Sequence, residues 1–154
     1  MTSALRAGVA LHLPTVDDTE ALGTALAGLL KPGDLVVLDG PLGAGKTALA
    51  RGLGRGLGVA GITSPTFVMA RIHRGGRIPL VHVDAYRLTG LDDLDALDLD
   101  ASLDESVTVV EWGAGVVESL AAEHLVIHLA RSEIDETRTA SLHPHGATWH
   151  ARLA

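Results

Sequence analysis

The run Leu35-Val36-Val37-Leu38, apolar and β-favouring, leads through Asp39 straight into Gly40-Pro41-Leu42-Gly43-Ala44-Gly45-Lys46-Thr47, and an Ala- and Leu-rich helical stretch follows until the breakers Gly56 and Gly58. A buried strand feeding a helix through a glycine loop restricts the chain to a small set of α/β arrangements. The spacing Gly-x-x-x-x-Gly-Lys-Thr is a full Walker A match, placed after a strand and before a helix, where such a match has physical meaning. Glycines let backbone N–H groups fold around phosphate oxygens, and the helix N-terminus adds partial positive charge. Lys46 then offers a point charge to the β- and γ-phosphates, and the Thr47 hydroxyl a ligand to Mg²⁺. The predicted fold is a three-layer α/β P-loop NTPase domain, with a mixed, mostly parallel sheet, helices on both faces and a β-hairpin.

At 154 residues, 47% of them apolar, the chain is expected to form a single domain over residues 1–154 with one core, its tail loosening from about residue 131. The absence of cysteine rules out disulfides and zinc–thiolate staples. A formal charge of −7 and an aromatic content of 3% argue against a free-standing nucleic-acid binder, which needs a basic face and rings for stacking. Apolar runs fall far short of the ~20 residues that span a bilayer, and the first residues carry no apolar block, so no membrane association and a cytoplasmic address are expected.

Val9 to Leu13 alternates like an edge strand, and Thr15 with Asp18 forms a capping-box pattern ahead of a helix from about Val16 to Leu30. Phe67 to His73 and Ile78 to Val83 flank Arg74-Gly75-Gly76-Arg77, which predicts an antiparallel pair with a tight turn. Leu91, Leu94 and Leu97 suggest a short helix with acids on its wetter side. A buried strand at Val107 to Val110, a helix at Val116 to Ala122 and a strand at Leu125 to Leu129 follow. Beyond Ala130 the pattern predicts one more strand near Thr139 to His143 and an irregular His- and Gly-containing tail.

Magnesium in such a site takes carboxylate help from the C-terminal end of a neighbouring strand. Asp84 and Glu111 both end predicted strands, and both are candidates for metal ligation through water and for polarising the attacking water. His82 alternates with Val81 and Val83 and reads as a hydrogen-bonded structural imidazole rather than a metal ligand. Arg87 reads as an ion-pair residue rather than an arginine finger, and His143, His145 and His150 are assigned no metal. Trp112 either packs over the nucleotide site or closes the core. Arg71, Arg74 and Arg77 read as a solvated turn, with phosphate of a partner RNA as the functional alternative.

With the loop, Ser64-Pro65-Thr66-Phe67, His82-Val83-Asp84-Ala85-Tyr86-Arg87 and Glu111-Trp112 together, the chain resembles the TsaE (YjeE) family of small bacterial ATPases, from Thr19-Glu20-Ala21-Leu22-Gly23 through Trp112. The resemblance implies a part in making N6-threonylcarbamoyladenosine in tRNA, without performing the carbamoyl transfer itself. It implies ATP as substrate, Mg²⁺ as cofactor, and a TsaB–TsaD-type heterodimer as partner, tRNA being met indirectly through that complex. By motif, residues 40–47 take the phosphate-loop role, with Lys46 and Thr47 at γ-phosphate and metal. Asp84 and Glu111 take the magnesium and catalytic-acid roles, Glu111 being the better Walker B candidate. Thr66 falls in a switch-like loop, and Tyr86 and Arg87 near the nucleotide or a partner surface.

Two positions depart from the family pattern. Pro41 stands where an Asp is common, which removes one backbone donor from the loop, and Gly113 stands where Pro often follows Glu-Trp. Rival readings are weaker on the residues. A small-molecule kinase needs a cationic lid, whereas the stretch after Leu88 is acidic; a GTPase needs Asn-Lys-x-Asp, which is absent. A nucleotide sensor differs from an ATPase only in turnover.

Overall fold

The computed structural model describes residues 7–41, 44–59, 70–84, 105–111, 123–132, 134–135 and 137–153; for residues 70, 71 and 84 it describes the backbone alone. The first helix, α1 (Val16–Ala27), starts at the predicted capping box. The Thr15 hydroxyl accepts from the Asp18 N–H at 3.2 Å while the Asp18 carboxylate accepts from the Thr15 N–H at 3.0 Å, so two orphan amides are satisfied reciprocally. The helix ends at Ala27 rather than Leu30. Gly28 caps it, and the chain tightens into turns in which the N–H groups of Leu29 and Leu30 donate to the carbonyls of Leu26 and Ala27, which still buries Leu30.

Among the described residues seven strands form one sheet: β1 (Leu11–Leu13), β2 (Leu35–Asp39), β3 (Ala70–His73), β4 (Leu80–Asp84), β5 (Val107–Glu111), β6 (His124–Arg131) and β7 (Arg138–His145), in the order β1-β7-β6-β2-β5-β4-β3. β2 lies at the centre and runs parallel to β5 and β6, and β4 runs parallel to β5. β3 is antiparallel to β4, β7 to β6, and β1 to β7, so β1, β2, β4, β5 and β6 point one way against β3 and β7. β1 is an edge strand as its alternation predicts, and its partner proves to be β7. The β3–β4 pair forms around Arg74–Arg77 as expected, though Ile78 precedes β4, and Phe67, Val68 and Met69 lie outside the described residues.

Helix α2 (Lys46–Gly56) packs on α1 through backbone. A Cβ on Gly52 would come within 1.9 Å of the Glu20 carbonyl oxygen, the Thr24 hydroxyl donates to the Gly52 carbonyl at 3.0 Å, and Arg55 pairs with Glu20 at 2.8 Å. Arg77 belongs to the packing as well: its guanidinium donates to the last carbonyl of α1, Ala27, at 2.8 Å.

The end of the chain corrects the expected irregular tail. β6 and β7 pair over eight residues each, which places His143 and His145 on β7, and after Gly146 the chain forms α3 (Ala147–Arg152), which carries His150. Trp149 and Leu153 anchor this short helix in the core. The Arg152 guanidinium lies 4.4 Å over the Trp149 ring and donates to Asp34 at 2.7 Å, and Asp34 also accepts from the Lys31 N–H at 2.6 Å.

Strand alternation divides the sheet between two buried faces. Val36, Leu38, Leu80, Val107, Val109, Leu125 and Ile127 share one cluster with Leu22 and Leu26 of α1, Leu49 and Leu53 of α2, and Trp149 of α3. On the other face Leu35, Val37, Val81, Val83 and Val110 are each at most 1% exposed. The three described helices therefore cover the first face; the helices predicted near Leu91–Leu97 and Val116–Ala122 lie outside the described residues. Among the described residues no helix is long and apolar enough to cross a membrane.

Candidate functional site

Parallel strands deliver their C-terminal ends to one edge of a sheet, where α/β proteins place their ligands. β2 ends at Asp39 and gives way to the glycine loop, β5 ends at Glu111, and β4 ends at Asp84, whose backbone is in register with Glu111. Gly40 starts the loop hard against β6: a Cβ there would stand 2.4 Å from the Leu129 carbonyl oxygen. Gly45 closes it with φ +103°, a left-handed geometry that suits glycine, and is the N-cap of α2. The two helix starts differ in a way that matters. α1 begins with two acids and a capping box, whereas α2 has no side-chain cap and no acid in its first turn, which leaves the amides at its start and its partial positive charge available to an anion.

Lys46 is 5% exposed and folds back over the loop, its ammonium donating to the carbonyls of Gly40 at 2.6 Å and Pro41 at 2.9 Å. The Pro41 carbonyl also receives the Ala44 N–H at 3.1 Å, so the missing N–H of the proline leaves this part of the loop's bonding intact. Thr47 and Glu111, 64 positions apart, meet here. The Thr47 hydroxyl donates toward the two Glu111 oxygens at 3.2 and 3.4 Å, and the carboxylate is buried at 4% exposure. Glu111 also accepts, at Oε2, from Nε2 of His82, fully buried on β4, at 2.5 Å.

A hydroxyl and a carboxylate converging at a helix N-terminus are hard oxygen donors, the chemistry that suits Mg²⁺, so these residues fit the ion that the motif implies. Of the sequence-predicted residues the structure brings together Gly40, Pro41, Ala44, Gly45, Lys46, Thr47 and Glu111. For Asp84 the backbone alone is described, beside Glu111. Leu42, Gly43, Thr66, Tyr86, Arg87 and Trp112 lie outside the described residues.

Two neighbours of the loop were not legible as such. His82 reads as a hydrogen-bonded core imidazole, which it is, but strand alternation alone does not reveal that its partner is Glu111. Arg138, at the start of β7, borders Gly45: a Cβ on that glycine would meet Thr19 Cγ2 at 3.4 Å and Arg138 Cδ at 3.6 Å. The signal available for Arg138 is sheet order alone, since β7 reaches the loop through β6.

Comparison with known proteins gives a consistent picture. The family model for TsaE, threonylcarbamoyl adenosine biosynthesis protein TsaE, matches residues 13–140, past Trp112 and into β7. A Streptomyces coelicolor protein described as tRNA threonylcarbamoyladenosine biosynthesis protein TsaE is 56% identical over 135 residues, covering 83% of this chain and 91% of its own. A Mycobacterium tuberculosis protein of the same description is 48% identical over 149 residues, covering 90% of this chain and 89% of its own. The crystal structure of Bacillus subtilis YdiB superimposes with a TM-score of 0.76 at 31% identity, over 94% of this chain and 90% of that one.

Proposed function

Since the chain belongs to the TsaE family, we propose that it is a cytoplasmic P-loop protein that binds and hydrolyses ATP with Mg²⁺ in the biosynthesis of tRNA threonylcarbamoyladenosine. In this reading it acts with a TsaB–TsaD-type heterodimer, meets tRNA through that complex, and drives the complex's cycle rather than transferring the carbamoyl group. The observation that carries the reading is the meeting of Thr47 with Glu111 at 3.2 Å, directly after an uncapped glycine-loop helix start.

The residues divide the work as follows. Loop amides and the start of α2 hold the phosphate oxygens, and Lys46 exchanges its two carbonyl partners for the β- and γ-phosphates. Thr47 and Glu111 hold Mg²⁺, which when bound neutralises charge developing on the phosphates. Asp84, in register with Glu111 across the parallel pair, is assigned to orient the attacking water. Such catalysis asks for positioning and electrostatics rather than covalent chemistry, which fits a site built from a loop and two strand ends. Thr66 and Trp112 complete the proposed nucleotide contacts.

The test is Mg²⁺-dependent ATP hydrolysis by the purified chain, alone and with TsaB–TsaD-type partners plus tRNA. Slow turnover alone and stimulation by the partners are expected. Preference for GTP, or passage of the phosphoryl group to a metabolite instead of water, would overturn the reading.

A further inference from the structure

We propose that His82 is a positioning residue of this site, holding the Glu111 carboxylate in the orientation that presents it to Thr47 and the metal. The inference rests on the reading of Glu111 given above and adds a residue that acts through it. His82 sits on β4 between Val81 and Val83, and its side chain has no solvent exposure. A space-filling role there is met at lower cost by an apolar residue, because a buried imidazole gives up its hydration at both ring nitrogens. Here one nitrogen recovers that loss and the other does not. Nε2 is bonded to Glu111 Oε2, while Nδ1 is buried without a hydrogen-bond partner among the described residues. The unrecovered half of the imidazole is thus retained for the sake of the contact with Glu111.

Geometry explains why this position serves. Asp84 is opposite Glu111 in the parallel β4–β5 pair, so His82, two residues earlier, lies on the same face of the sheet and one pleat behind the carboxylate. Thr47 approaches the carboxylate from α2, its hydroxyl 3.2 Å from Oε1 and 3.4 Å from the Oε2 that His82 holds. Glu111 accepts, so Nε2 donates, and the carboxylate is gripped between a hydroxyl and an imidazole. The Thr47 contact must loosen when that hydroxyl turns to a metal, and the His82 contact is then what keeps the glutamate from rotating. Partners behind a metal ligand commonly set its orientation in this manner.

The experiment uses the full chain as wild type, His82→Leu, His82→Gln, Glu111→Gln and the double variant His82→Leu/Glu111→Gln. Binding of a fluorescent ADP analogue is titrated with Mg²⁺, and kcat and KM for ATP are measured per nucleotide-competent site, so that loss of folded protein does not register as loss of turnover. For His82→Leu the Mg²⁺ midpoint is expected to rise and kcat to fall about 10- to 100-fold, with KM at saturating Mg²⁺ changed by less than about threefold. His82→Gln, which keeps a donor near the Nε2 position, should recover part of both effects. In the Glu111→Gln background His82→Leu should add no further loss of Mg²⁺-dependent binding, because the residue it acts through is already altered. A His82→Leu protein with wild-type Mg²⁺ midpoint and kcat, or an undiminished effect of His82→Leu in the Glu111→Gln background, overturns the inference. If in the same series Glu111→Gln itself hydrolyses ATP normally, the reading of the site fails and the inference falls with it; if Glu111→Gln is inactive and His82→Leu is normal, the inference falls alone.

Discussion

Replacing Gly52 by alanine sets helix propensity against packing, and the structure decides the sign. In a helix interior alanine is favoured over glycine by about 1 kcal/mol. Against that, a Cβ at Gly52 would stand 1.9 Å from the Glu20 carbonyl oxygen, 2.6 Å from its carbonyl carbon and 2.7 Å from its Cα. An unstrained carbon–oxygen approach is about 3.3 Å, so α1 and α2 must part by roughly 1.4 Å. All three atoms are backbone, and no side chain can rotate out of the way. Separation strains the Thr24–Gly52 bond and the Glu20–Arg55 pair and opens the packing of Leu22 and Leu26 on Leu49 and Leu53. Overpacking of this severity costs about 3–4 kcal/mol, which leaves a net loss of about 2–3 kcal/mol and a drop in Tm of roughly 5–10 °C. The site suffers too, since α2 carries Lys46 and Thr47 and a shift of about 1 Å there is enough to lower turnover by roughly 100-fold. Urea unfolding followed by circular dichroism measures the first effect, and nucleotide affinity with ATPase activity the second. Gly28→Ala is the control, because Gly28 has helical φ and ψ and an added Cβ would make only a 3.4 Å contact with Ala25 O; it should be neutral or slightly stabilising. A Gly52→Ala protein as stable as wild type would refute the claim that backbone contact between these helices governs the fold.

Lys46→Ala is expected to weaken ATP binding, whereas Glu111→Ala should spare much of the binding and remove turnover; equilibrium binding and steady-state hydrolysis separate the two, and normal hydrolysis by both variants would sink the site assignment. Asp34→Ala removes the acceptor shared by the Lys31 N–H and Arg152, whose side chain is only 14% exposed, and should cost about 2–3 kcal/mol in urea unfolding. Nucleotide affinity should be unchanged in that variant, because the pair sits at the opposite end of β2 from the loop. Partial burial, then repulsion from His128 and His145, holds the His143 imidazole below its ordinary value of 6.5, with Asp39 paired to His128 at 2.8 Å. The unfolded chain therefore binds more protons than the folded one as pH falls through about 6.5, so this contribution is fully present above that range and lost below it. Stability measured between about pH 7.5 and 5 should fall less steeply in His143→Gln than in wild type, and parallel curves would contradict the lowered value of His143.

What local chemistry specifies was readable along the chain. The glycine loop is made from contiguous backbone, so Gly40, Gly45, Lys46 and Thr47 reveal it by spacing alone, and the uncapped start of α2 follows from the same few residues. The Thr15–Asp18 box is equally local, and Leu35 to Leu38 marks the central strand because a strand buried on both faces has no polar alternation. On β7 the alternation of Thr139, Ser141 and His143 with Ala140 and Leu142 marks the strand, whereas Arg138, Pro144 and His145, which lengthen it, carry no such pattern and join it by pairing with β6.

From the sequence by itself came the strand–loop–helix unit, the cations and hydroxyl on it, and the two acids at strand ends, because each depends on residues within a few positions of one another. Only the tertiary structure decided that Glu111 stands between Thr47 and His82, that Arg138 borders Gly45, that Gly52 lies against Glu20, and that Arg152 closes the chain onto Asp34. Those pairs are separated by 29 to 118 positions, and which of them meet is set by sheet order and register, quantities that no local pattern encodes.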